Sequence, residues 1–227
     1  MNTVKKCLSY IILCLLVPAV ILCGALLFEE KQYAWISLCV TALSCVPFFL
    51  CFEKRETSTK RLVLIAAMVA LSVVGRFIFT PLPGFKPVTA VVVITAMYFG
   101  SEAGFMTGAL SAVISNFYFG QGPWTPFQMF SWGLIGLIAG LLADPLKRSR
   151  IVLGIYAVIS GIMYSLLMDI WTVLWVDGTF NFTRYLAAVV SATQFTVIYA
   201  VSNLIFLMLF IKPIGKTLER IKTKYGV

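Results

Sequence analysis

The chain contains no histidine among its 227 residues, and only 12% of them are charged. The first absence removes the most common metal ligand and the usual general base of catalysis. The second removes the coat a soluble domain needs, since about a quarter of such a domain is charged. No G-x-x-x-x-G-K-[ST] stretch occurs, so the chain carries no phosphate-cradling loop for ATP. Cys7, Cys14, Cys23, Cys39, Cys45 and Cys51 are its six cysteines, none in a C-x-x-C pair. All sit in apolar runs in the first quarter of the chain. They read as small packing residues, neither a disulfide framework nor a zinc site.

What is present is hydrophobicity: 60% of the residues are apolar. That composition defines an integral membrane protein. Apolar stretches lie at about 7–28, 33–52, 61–80, 86–100, 103–119, 127–143, 151–175 and 185–211, against the roughly 20 residues a crossing helix needs. The fourth and fifth are short, and are expected to tilt or to be sheltered by neighbours. The first follows Lys5 and Lys6 and resembles a signal peptide. It is too long for one and lacks an A-x-A cleavage pattern, so a retained helix is expected.

Charge placement gives the orientation. With alternating segments and a cytoplasmic N-terminus, only Lys31, Arg76, Lys86 and Arg184 of the 18 basic residues fall outside. By the positive-inside rule this predicts eight transmembrane helices with both termini cytoplasmic. The net charge of +9 is then topology and calls for no nucleic acid. The polar seam "FEKRETSTKR", Phe52 to Arg61, divides an N-terminal hairpin (1–53) from a six-helix unit (60–227). The unusual polar residues belong to the second part.

Four constellations stand out there. Ala66 and Ala70, four residues apart, share a helix face and permit close approach of another helix, within the bundle or from another subunit. Arg76 ends that helix, and "TPLPGFKPVTA" follows with three prolines and Lys86. The two cations suit either interfacial snorkelling or a ligand's acidic or carbonyl groups. The third is "SNFYFGQGPWTPFQMFSWGLIGLIAG", Ser115 to Gly140. Pro123 and Pro126 stiffen its loop and bias Gly122 and Thr125 toward extended forms. Asn116, Gln121, Trp124, Gln128 and Trp132 are expected to present amides and indoles around a pre-formed pocket, or, for the tryptophans, to anchor at the lipid interface. Gly133, Gly136 and Gly140 suggest close helix contact behind it. The fourth constellation contains Asp169, a costly carboxylate within an apolar segment. It is expected to pair with Arg76 or Arg184, or to contact ligand. Asp177, Asn181 and Arg184 follow, with Trp171, Trp175, Phe180, Phe182 and Tyr185 adding aromatic surface. Gln194 and Asn203 are candidate interhelix hydrogen-bond formers. Glu102 and Asp144 fall at inner helix ends.

Solute-grasping groups thus gather at one membrane boundary. A channel or antiporter needs polar residues along the whole route, and no inverted repeat marks a secondary transporter. The carboxylates Glu102, Asp169 and Asp177 are scattered between both faces, without a serine motif or metal cluster, which argues against a lipid-acting enzyme.

Arg61-x₄-Ala66-x₃-Ala70-Leu71, Val74-Gly75-Arg76, "GFKPVTA" and the G-x-G-P-W-T-P-x-Q-M-x-x-W-G-L-x-G block resemble the S-component of energy-coupling factor (ECF) vitamin transporters, most of all its cobalamin-type members. The resemblance implies an all-α six-helix bundle, non-catalytic, in the bacterial plasma membrane, that binds one vitamin near the outer face. It implies docking through Ala66 and Ala70 on a transmembrane coupling protein (the T-component), with two cytoplasmic ATPases using ATP to drive release. The chain needs no cofactor of its own. The implied vitamin site draws on Arg76, Phe85, Lys86, Asn116, Gln121 and Trp124, on Thr125, Gln128 and Trp132, and on Asp169, Trp175, Arg184 and Tyr185. A corrinoid, large and rimmed by amides, suits the many carboxamides and aromatics; a small acidic vitamin would instead favour Arg76 and Lys86. The N-terminal hairpin departs from the six-helix pattern.

Overall fold

The computed structural model describes residues 59–122 and 124–225, with three isolated positions before them, Ile11, Leu16 and Ala19. The expected hairpin, its cysteines, most of the polar seam and Pro123 lie outside the described residues. The rest is helical. α1 spans Thr59–Ile78, α2 Val88–Phe99, α3 Ser101–Phe119, α4 Thr125–Leu141, α5 Ala143–Arg148, α6 Arg150–Asp177 and α7 Phe182–Tyr225.

Only α1, α6 and α7 among the described helices are long and apolar enough to cross a membrane by themselves. The fourth apolar stretch of the sequence, expected to be short and to tilt or be sheltered by neighbours, is α2. α2 has 12 residues, about 18 Å at 1.5 Å per residue, and is enclosed on every side. Val92, Val93, Ile94 and Ala96 are fully buried. It survives as a short helix because α1, α3, α4 and α7 shelter it.

α3 and α4 run antiparallel at very close range. A Cβ on Gly104 would run into the backbone of Gly136, and one on Gly140 into that of Ser101. The glycine series of α4 is therefore the seam of this pair, as its spacing suggested. α6 and α7 form the second antiparallel pair. Gly161 lies against the backbone of Ala200, Ser165 and Thr196 hydroxyls are 2.7 Å apart, and Asn203 Nδ2 donates to Ser160 Oγ at 3.1 Å. Asn203 thus makes the interhelix bond expected of it, whereas Gln194 is exposed.

Two boundaries differ from the hydropathy reading. α5 is a short extra helix, with Leu146 as its buried anchor. α7 continues well past 211, through Pro213, for 44 residues. The basic segment stays helical because its apolar positions find partners. Leu218 is 3% exposed, and a Cβ on Gly215 would meet the Tyr98 hydroxyl.

These contacts define two ends. At one, Arg61 Nη2 of α1 donates to the Phe99 carbonyl at 2.7 Å, and the α7 C-terminal segment meets Tyr98. Lys147, Arg148, Arg150, Lys212, Lys216 and Lys222 belong to this basic end. At the other end the C-termini of α1 and α3, the 79–87 loop and the start of α4 converge with the second half of α6 and the first half of α7.

Candidate functional site

At that second end a partly open cavity of about 140 Å³ is lined by Arg76, Gly84, Lys86, Val88, Thr89, Gln128, Trp132, Tyr164, Tyr199 and Asn203. α1 delivers Arg76 in its last turn. Its Nη1 donates to Ser115 Oγ and to Asn116 Oδ1 at 2.9 Å. The guanidinium lies 4.6 Å from the Phe119 ring centroid and 5.3 Å from that of Trp132.

The 79–87 loop delivers Lys86. Ser202 of α7 staples the loop, accepting from the Lys86 amide at 2.9 Å and donating to its carbonyl at 3.1 Å. Gly84 bends the chain with φ +74, pressed close to Ile198 and Tyr199, a backbone angle that a side chain resists. Phe85 is not on the cavity wall; it packs between Phe79 and Phe206. Lys86 Nζ sits 4.8 Å from the Phe119 centroid. Burial, and then the charge of Arg76, hold its pKa below the ordinary lysine value.

The loop before α4 is ordered by side chains. Thr125 does not take the extended form expected before Pro126; it opens α4, with Pro126 in the first turn. There a missing N–H costs nothing. The Thr125 amide donates to Gly122 O at 2.9 Å, and its hydroxyl donates to Gln121 Oε1 at 3.1 Å. Asn116, 1% exposed, donates to Thr125 Oγ1 at 2.9 Å and Gln128 Oε1 at 2.8 Å. Gln121 Nε2 donates to the Val113 carbonyl at 2.9 Å. The carboxamides expected around a ligand are thus engaged within the protein, by Arg76, Thr125, the Val113 carbonyl and, between Asn116 and Gln128, each other. They hold Arg76 and Gln128 in place, and Gln128 alone of the three reaches the cavity wall.

Gln128 Nε2 then donates to Tyr164 OH at 3.2 Å. Tyr164 stacks on Trp132, with centroids 5.1 Å apart and planes 12° apart, and meets Tyr199 edge-on at 5.2 Å. The result is an aromatic wall of Trp132, Tyr164 and Tyr199 facing two cations. Neither Arg76 nor Lys86 has a carboxylate partner among the described residues.

Other expected site residues lie elsewhere. Trp124 meets Trp171 edge-on at 6.0 Å, and Trp171 stacks on Trp175 at 5.7 Å. Trp171 packs on a satellite cluster of Phe127, Phe130 and Leu174, and none of the three tryptophans lines the cavity. Trp175 is half exposed, as an interfacial anchor would be. Arg184 Nε pairs with Asp177 Oδ2 at 3.1 Å, so the expected Asp169–Arg184 pair does not form, and Arg76 has its own partners. Asp169 is buried, with Oδ2 unbonded among the described residues. Tyr185 donates to the Leu166 carbonyl at 3.4 Å and packs on Phe180. Sequence reasoning missed Tyr164, Tyr199 and Thr89. The signal was there: Tyr199 and Asn203 stand at i and i+4 on one helix face, as Gln128 and Trp132 do. Ala66 and Ala70 are both exposed on the outside of α1 and do not pack within the bundle of the described residues.

The described residues thus form a helical bundle, three of whose helices are long and apolar enough to cross a membrane, with a cavity lined by cations and aromatics at one end. Residues 56–220 match the family described as ECF-type riboflavin transporter, S component, and the chain belongs to that family. A UPF0397 protein of Aliivibrio salmonicida (strain LFI1238) is 27% identical over 148 residues, covering 63% of this chain and 78% of the relative. No solved structure matches.

Proposed function

We propose that this protein is the vitamin-capturing subunit of an ECF-type importer, and that its ligand is a flat, carbonyl-rich or anionic molecule held between Arg76, Lys86 and the Trp132–Tyr164–Tyr199 wall. The observation that carries this reading is the pair of cations without carboxylate partners over aromatic faces in one cavity. Such a wall stacks a conjugated ring, and each desolvated cation contributes about 2 kcal/mol to a ring or carbonyl it meets. Family membership makes riboflavin the first probe. The corrinoid reading rested on displayed carboxamides. With Asn116 buried and Gln121 bonded to the Val113 carbonyl, neither on the cavity wall, the cations and aromatic faces that remain suit a few-ring ligand better than a corrinoid.

By the positive-inside rule the basic end faces the cytoplasm and the cavity faces outward. Inward release then requires the coupling protein, docked on the Ala66/Ala70 face, and two ATPases in the bacterial plasma membrane. No step is assigned to this chain as an enzyme. Calorimetry on the purified full chain with riboflavin and, separately, cyanocobalamin tests the proposal. Tight binding of riboflavin and none of cyanocobalamin is expected. The reverse result would restore the corrinoid assignment, and heat from neither ligand would reject a flavin-like substrate.

A further inference from the structure

The basic end holds a second cavity, of about 210 Å³. Its floor is apolar: Met97, Leu146, Leu153 and Ile211 line it, and none is more than 9% exposed. Its rim is cationic. Lys147, Arg150, Lys212 and Lys216 surround it, with Glu219 the one carboxylate on the lining. Among the described residues none of the four forms an ion pair within 4 Å; the pair Asp177–Arg184 lies at the other end.

Two neighbouring cations are held by backbone carbonyls. Arg61 donates to the Phe99 carbonyl at 2.7 Å, and Lys222 to that of Tyr98 at 3.5 Å. Both sit at the C-terminus of α2, where the helix dipole is negative. Lys147 lies over the Tyr98 ring at 4.7 Å. Its pKa is held below the ordinary lysine value by burial first and by Lys222 next. A fringe of lysines that only sets topology lies in open water and needs no hollow. Here four like charges converge on a hollow with an apolar floor, an arrangement that an anion with an apolar continuation would relieve. Position agrees: the rim begins where the apolar run of α7 ends, at the level of lipid headgroups.

The geometry points to this cavity as a binding site for a phosphate group, and its apolar floor favours the phosphodiester of an anionic lipid headgroup over free phosphate. The rim cations grip the phosphate, and the floor accepts the first carbons beyond it. Basic pockets between helices at the cytoplasmic face suit such headgroups.

Native mass spectrometry of the full chain tests this with dioctanoyl-phosphatidylglycerol, dioctanoyl-phosphatidylcholine and inorganic phosphate as separate probes. Phosphatidylglycerol should be retained and phosphatidylcholine not. Competition by inorganic phosphate at equal concentration would keep the phosphate site and make free phosphate its source. The double variant Lys147→Gln/Lys216→Gln should weaken phosphatidylglycerol binding about 25-fold, at about five-fold per charge. Lys147→Arg/Lys216→Arg should retain it, which guards against a folding defect. Arg148→Gln/Arg220→Gln removes the same charge from the same end but outside this lining, and should change binding less than about two-fold. Equal losses in the two glutamine doubles, or no lipid retention by the parent chain, would overturn the site and leave the charge to topology or to an acidic partner.

Discussion

Arg76 is the residue on which the proposed capture site turns. It is fixed by Ser115 and Asn116 and shares Phe119 with Lys86. Arg76→Met removes a charge-assisted partner worth about 2 kcal/mol, so ligand affinity should fall about 30-fold in calorimetry. Asn116→Leu should also weaken binding, though Asn116 is off the cavity wall, because it releases both Arg76 and Gln128. Lys86 gives a pH signature. Its ammonium loses its proton below the ordinary value of 10.5, and the protonated form is the one that attracts an anion or carbonyl. Affinity should therefore decline as alkaline pH approaches the ordinary lysine value from below, while Lys86→Met binds weakly with a flatter profile. A parent profile as flat as the variant's would remove Lys86 from the site. Arg76 and Lys86 were legible in the sequence because outer-side cations are rare. Tyr164 and Tyr199 were not, because a tyrosine in an apolar helix looks like packing until the facing helix is known. The Asp169 pairing could not be read either: Arg184 lies near two carboxylates in sequence, and geometry chose Asp177.

At the scale of elements, the α3–α4 seam carries the site, since α3 supplies Asn116 and Phe119 and α4 supplies Gln128 and Trp132. Gly136→Val puts side-chain atoms where the Gly104 backbone and the Val92 side chain lie. Overpacking of this kind costs about 1–3 kcal/mol, so the thermal midpoint in detergent should drop by several degrees, with ligand binding lost alongside. α1 offers the opposite test. Ala66→Trp on its exposed face should abolish transport while binding by the purified chain stays unchanged; undiminished uptake would reject the docking role. The six apolar helices were legible from hydropathy. The 12-residue length of α2 and the extension of α7 to Tyr225 were not. Hydropathy measures preference for an apolar medium, and neighbouring helices supply that medium as well as lipid does. It is also blind to Leu218 and Gly215, which find buried contacts inside a basic segment.

At the scale of the whole molecule, the two ends differ in chemistry. Among the described residues, one gathers aromatics, two cations without carboxylate partners and a bonded carboxamide network; the other gathers most of the basic residues. On the proposed function, transport divides between chains: capture belongs to this one, and the work of inward release to its partners. Vesicles holding only this protein should bind ligand without accumulating it, and uptake should appear once the coupling protein, both ATPases and ATP are supplied. The most direct test of capture at the Arg76 cavity is native mass spectrometry of small molecules that co-purify with the full chain and its variants. The account predicts one flat, carbonyl-rich or anionic metabolite on the parent chain, kept by Ala66→Trp and lost from Arg76→Met; equal retention by Arg76→Met would contradict it.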